Sequence, residues 1–180
     1  MRQAICCLLL LSFPLFVNAA EPVSPLTRAE VANFLQTEIA ITHKQKKMRA
    51  NAAEYEDVIH AFYTWRDQYL VSTGWEIQRF EEVRDRVFTA NSALDTIDDL
   101  AERKPAREKE IANIRTNTFI SSEQKEKMIR ATRQIADTRR KQAEQSKADW
   151  PAVRAYREEF KQYIEWGAGN VAKPPRIEMP

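Results

Sequence analysis

The residues best suited to chemistry in this chain are Glu56, Asp57 and His60. Spacings of three and four put all three on one face of a helix. A carboxylate three residues before a histidine resembles half of a di-iron site in a four-helix bundle. That site needs a second such pair and further inward carboxylates. The only other histidine, His43, falls on the same predicted helix, and its imidazole points about 100° away from that of His60. Asp57 and His60 are thus the only metal-site candidates, and a ligand- or metal-binding bundle centred on His60 is the alternative reading. The plainer expectation is a histidine beside neighbouring acids, with no metal and no cofactor. Haem has no covalent attachment motif here and no Met–His pair spread over two helices. Both cysteines lie at positions 6 and 7 and no histidine sits near a placed serine, so acyl transfer has no base. Three glycines do not make a phosphate-cradling loop. No catalytic residue is predicted, and the chain reads as a non-enzyme.

Residues 1–20 read as a cleaved secretory signal. Arg2 supplies a positive start, Ala4 to Val17 form an apolar run, and Val17-Asn18-Ala19 places small residues around a cleavage site. The run is short for a bilayer span, and Pro14 interrupts it. The expected product starts at Ala20 or Glu21 and contains no cysteine, because Cys6 and Cys7 leave with the signal. An exported chain without disulfides points to a bacterial periplasm.

The 28 Lys and Arg against 26 Asp and Glu nearly balance, which argues against nucleic acid as a partner of the whole surface. Two basic clusters stand out locally: Lys44, Lys46, Lys47 and Arg49, and then Arg139, Arg140 and Lys141. In an envelope protein these can meet a membrane surface or an acidic partner. The plainer expectation is a solvated face, or pairing with Asp95, Asp98, Asp99 and Glu102.

The elements that would carry these residues are helices throughout. Between Pro25 and Pro174 the strong breakers are Gly74, Pro105 and Pro151, with helix-favouring stretches between them. The fold class is all-α, an elongated antiparallel bundle of four to five helices, with one domain over residues 21–166 and a mobile tail over 167–180. Thr27 and Glu30 have capping-box spacing, and Leu26 and Val31 that of a hydrophobic staple. Phe34, Ile41, Met48, Tyr55, Phe62 and Tyr69 then recur every seventh residue. They predict one long coiled-coil-like helix to about Ser72, on the order of 65 Å, whose least secure stretch is His43 to Asn51.

Gly74 reverses the chain. Phe80, Val83, Val87, Ala90, Leu94, Ile97 and Ala101 form the cleanest helical seam, ending before Pro105. A short segment holds Ile111 and Ile114. Ser121 and Gln124 form a second capping box, opening a helix to about Ala148 whose core candidates are Met128, Ile129, Ile135 and Ala136. Asp149 is expected to cap a last helix, with Pro151 in its first turn and Val153, Tyr156, Phe160 and Tyr163 as an aromatic stripe that Gly167 ends.

Leu26-Thr27-Arg28-Ala29-Glu30 and Ile120-Ser121-Ser122-Glu123-Gln124 resemble the Leu-Thr-x-x-Gln repeats of the Spy and CpxP type of periplasmic helical chaperones. The resemblance spans ten residues and assigns no family, since a staple joined to a capping box writes this pattern wherever a helix begins.

Without catalytic groups, the expected function is protein binding in the cell envelope, as an adaptor, chaperone-like or inhibitor protein. Trp65 lies off the Phe62–Tyr69 seam, so the first helix has apolar surface on two sides. A second helix of about 29 residues cannot cover a first of about 45, which leaves Val31, Phe34, Leu35 and Ile39 in need of cover. The aromatic helix supplies it, or a second copy does. Phe34, Leu35, Trp65 and Trp166 are accordingly the predicted interaction surface, and the expectation leans to a homodimer.

Overall fold

Helix α1 (Arg28–Ala50) begins where side-chain chemistry says it should. In the computed structural model, which describes residues 24–180, Glu30 N–H donates to Thr27 Oγ1 at 3.1 Å. Thr27 N–H donates in return to the Glu30 carboxylate at 2.9 Å. Leu26 and Val31 are both buried, as a staple requires. The expected signal, with Cys6 and Cys7, lies outside the described residues.

The single long helix does not form. After Ala50 comes one 3-10 turn, Ala52–Glu54, and then α2 (Val58–Ser72). Asp57 opens α2 by accepting the N–H groups of Ile59 and His60, both at 2.9 Å. At the far end of the pair, Trp75 Nε1 donates to Thr37 Oγ1 at 3.1 Å, and midway the Lys44 ammonium lies 5.5 Å from the Trp65 ring. The two helices therefore run antiparallel, and the predicted rod is a hairpin. Its heptad residues still face inward: Phe34, Ile41, Met48 and Phe62 are buried, while Tyr55 and Tyr69 pack on the same core. A seven-residue spacing fixes which face is apolar, not whether the chain continues straight. Asp57 decided that, because its carboxylate starts a new helix.

Gly74 takes φ +84°, a left-handed conformation that glycine adopts without strain, and the chain turns into α3 (Ile77–Glu102). The predicted seam is buried from Phe80 through Leu94, whereas Ile97 is half-buried and Ala101 exposed. Arg103 separates α3 from α4 (Lys104–Thr116), with Pro105 in the first turn of α4 and Ile111 and Ile114 buried. Then α5 (Ser122–Glu144) opens on the expected Ser121–Gln124 capping box. It runs back along α4 and α3: Lys125 Nζ donates to Arg115 O at 3.0 Å, and Arg139 meets Asp99 at 3.1 Å. Ala136 and Ala143 are its buried residues. Met128 and Ile135, expected in the core, are exposed because α4 and α3 cover only the alanine side.

The last helix is two: α6 (Trp150–Arg154) and α7 (Arg157–Ala168). Pro151 sits in the first turn as expected, but Asp149 makes no cap. The aromatic stripe is buried, and it returns to α1. Phe88 stands edge-on to Phe34 at 6.5 Å and to Phe160 at 4.9 Å. Phe34 and Leu35 are consequently fully buried within one chain, and Trp166 is 5% exposed. Those three are core, not interaction surface. The strip for which a second copy was one expected cover is covered within the chain by α3 and the aromatic segment. Gly169, at φ +86°, ends α7 in place of Gly167. The tail expected to be mobile folds back: Pro175 is buried, Ile177 packs on the core, and Tyr156 OH donates to Glu178 O at 3.3 Å.

The architecture is thus all-α, with seven helices rather than four to five and no strand among the described residues. Its main core lies between α1, α2, the first half of α3, α6 and the start of α7. Beyond it the end of α3, α4 and α5 form an arm with a thinner core of Leu100, Ile111, Ile114 and Ala136.

Candidate interaction surface

The predicted chemical residues are not assembled into a centre. Asp57 spends one carboxylate oxygen on the start of α2, and His60 and Glu56 are exposed. Among the described residues no three His, Cys, Asp or Glu side chains come close enough to hold a metal ion. His43 stacks on Trp166 with ring centres 6.4 Å apart. Trp65 is half-buried, stacked on Tyr69 at 5.0 Å, so of the four predicted surface residues it alone keeps solvent access.

One buried polar cluster was not legible in the sequence. Tyr163 OH donates to Glu38 Oε1 at 3.2 Å and lies 3.1 Å from Thr42 Oγ1, while Arg84 Nε stands 4.0 Å from the same carboxylate. Burial pushes the Glu38 carboxyl above the ordinary range, offset only in part by Arg84 and the Tyr163 bond. Burial, with the Glu38 charge beside it, pushes the Tyr163 phenol up to about 12. Tyr163 lies 125 residues from Glu38 in sequence, so no local spacing links the two. The cluster is satisfied internally between α1 and α7, with Arg84 of α3 beside it.

What the surface does offer is exposed apolar area in two places. On α2, Ile59, Tyr63 and Val71 are 67%, 50% and 64% exposed. Ile59 and Tyr63 border a small groove of about 170 Å³ over Met48, too shallow to enclose a substrate. On the arm, Phe119 at the α4–α5 turn is 96% exposed, and Met128 and Ile135, seven residues apart on α5, are about half and two-thirds exposed. Met128 and Ile135 are expected in the core by residue type and spacing. Only the length of the covering helices shows otherwise.

Charge divides along the same line. Residues 104–144 carry eleven Lys and Arg against six Asp and Glu, a net +5. The remaining described residues carry sixteen against nineteen, a net −3. On the arm, Arg139 and Arg140 are neutralised by Asp99 and Asp137. Arg130, Arg133 and Lys141 have no carboxylate within salt-bridge distance among the described residues, and they line an open groove along α5 with Arg115, Glu126 and Asp137. No described helix is long and apolar enough to cross a membrane. The two short sequences resembling chaperone repeats are the two capping boxes, each occupied by its own backbone.

Comparison with known proteins finds no matching family model, no matching curated protein and no matching solved structure.

Proposed function

We propose that this is an exported protein of the bacterial periplasm that acts by binding another protein, as an adaptor, chaperone-like or inhibitor protein, with the α4–α5 arm as its working part. The observation that carries this reading is the exposure of Phe119, Met128 and Ile135 on an arm whose own core is thin. Large apolar side chains left in water are characteristic of surfaces that a partner covers. Export rests on the pattern of residues 1–20 and on the absence of cysteine after position 7.

A photo-crosslinking amino acid placed singly at positions 119, 128 and 135 tests the reading in living cells. Discrete protein adducts are expected from these sites and not from Gln162, an exposed position on α7. The same preparation gives the mature N-terminus by mass spectrometry, expected at Ala20 or Glu21. Equal labelling from 162 and the arm would refute the assignment of the arm, and a retained Cys6 or Cys7 would refute export.

A further inference from the structure

We infer that the partner segment received by the arm is acidic: a polypeptide bearing Asp and Glu among apolar residues, laid along the solvent face of α5. This rests on the reading of the arm as the binding part. The first argument is charge complementarity. Residues 104–144, which make α4 and α5, carry +5 on a chain whose remaining described residues, the acidic end of α3 included, carry −3, so the excess is local rather than a property of the whole surface. The second is placement. Lys127, Arg130 and Lys141 follow one another on the outward side of α5 at spacings that bring them to one face with Gln134, and all four are exposed. None of the three cations has a carboxylate within salt-bridge distance among the described residues, whereas Arg139 pairs with Asp99 of α3 and Arg140 with Asp137 of α5 itself. Arg115, Arg130, Arg133 and Lys141 outnumber Glu126 and Asp137 along the groove, and a carboxylate-bearing strand or helix supplies acceptors for the excess. Met128 and Ile135 lie about 80–160° around α5 from these cations, and a segment broad enough to span both faces meets them with its apolar side.

A lipid surface fits less well. Glu123, Glu126, Asp137 and Glu144 are interleaved with the cations of α5, and its exposed apolar side chains are few and narrow in arc. An interfacial helix needs a broad apolar face and an unbroken basic one to lie on a uniformly anionic plane. A polypeptide can place its carboxylates between the helix's own.

Selection of random sixteen-residue peptides displayed on phage against the purified protein tests the inference. The enriched peptides should be net negative with apolar residues between the acids. Their synthetic versions should lose at least tenfold in affinity when the carboxyls are amidated, and at least tenfold against the Arg130→Glu, Lys141→Glu double variant. The Lys161→Glu, Lys173→Glu variant, with the same charge change on exposed positions outside the arm, should bind within twofold of the parent; circular dichroism shows that each variant is folded. Neutral or basic enriched peptides, no enrichment, binding to phosphatidylglycerol vesicles in place of peptides, or self-association that occupies the arm would each overturn the inference. Arm adducts at position 119 alongside non-acidic peptides would remove the charge assignment alone and leave the arm as the binding part.

Discussion

Asp149 Oδ1 accepts the backbone N–H of Leu26 at 2.9 Å, across 123 residues of chain. The same carboxylate takes two bonds from Arg86, at 2.6 and 2.9 Å, and Arg86 Nη2 also donates to Ser24 O at 2.8 Å. One buried acid thereby ties the segment entering α1 to the middle of α3 and the start of α6.

Removing that acid should be costly. Asp149→Ala leaves a mostly buried guanidinium and a backbone N–H without their acceptor, an effect of about 3 kcal/mol. Asp149→Asn keeps an acceptor for Leu26 and should lose less. Urea unfolding measures both, and an Ala variant within about 0.5 kcal/mol of the parent would show the tie to be marginal.

Leu94 lies fully buried at the centre of α3. Leu94→Ala should destabilise by about 2–5 kcal/mol through lost burial and the cavity left behind. Gln142→Ala, at an exposed site on α5, should change stability by less than about 0.5 kcal/mol. Equal effects from the two would contradict the assignment of the seam.

Glu38 gives a pH dependence whose sign follows from burial. Its carboxyl is raised above the ordinary value of 4.5 because burial penalises the charge. The native state therefore holds the proton more tightly than the unfolded chain. This group's contribution to stability is highest below pH 4.5 and declines as pH rises through the raised native value. Glu38→Gln retains an acceptor for Tyr163 and removes the titration. Melting temperatures from pH 4 to pH 8 should shift in favour of the Gln variant as pH rises. A constant difference, or a shift the other way, would argue against a buried charge at this position.

The arm should open before the body. Its core is Leu100, Ile111, Ile114 and two alanines, where the body buries Phe34, Phe80, Phe160, Leu70 and Trp75. Amides of α4 and the first half of α5 should exchange faster than those of α1 and the first half of α3 in hydrogen–deuterium exchange read by mass spectrometry. Uniform protection across the four segments would mean that the arm is as firmly held as the body.

The starts of α1 and α5 and the α3 seam were legible from residue types alone. Thr27 with Glu30, and Ser121 with Gln124, bond to backbone groups three residues away, so spacing suffices to place them. Gly74 marked a reversal for the same local reason, and the period of Phe80 to Leu94 fixed one apolar face. The return of α2 along α1, the burial of Phe34 and Leu35, and the use of Asp149 as a long-range tie rather than a cap were decided by tertiary structure. So was the exposure of Met128 and Ile135, whose apolar type alone had suggested core. Local hydrogen bonds depend on neighbours that the sequence lists in order. Burial depends on which distant surface arrives, and how far along the helix it extends.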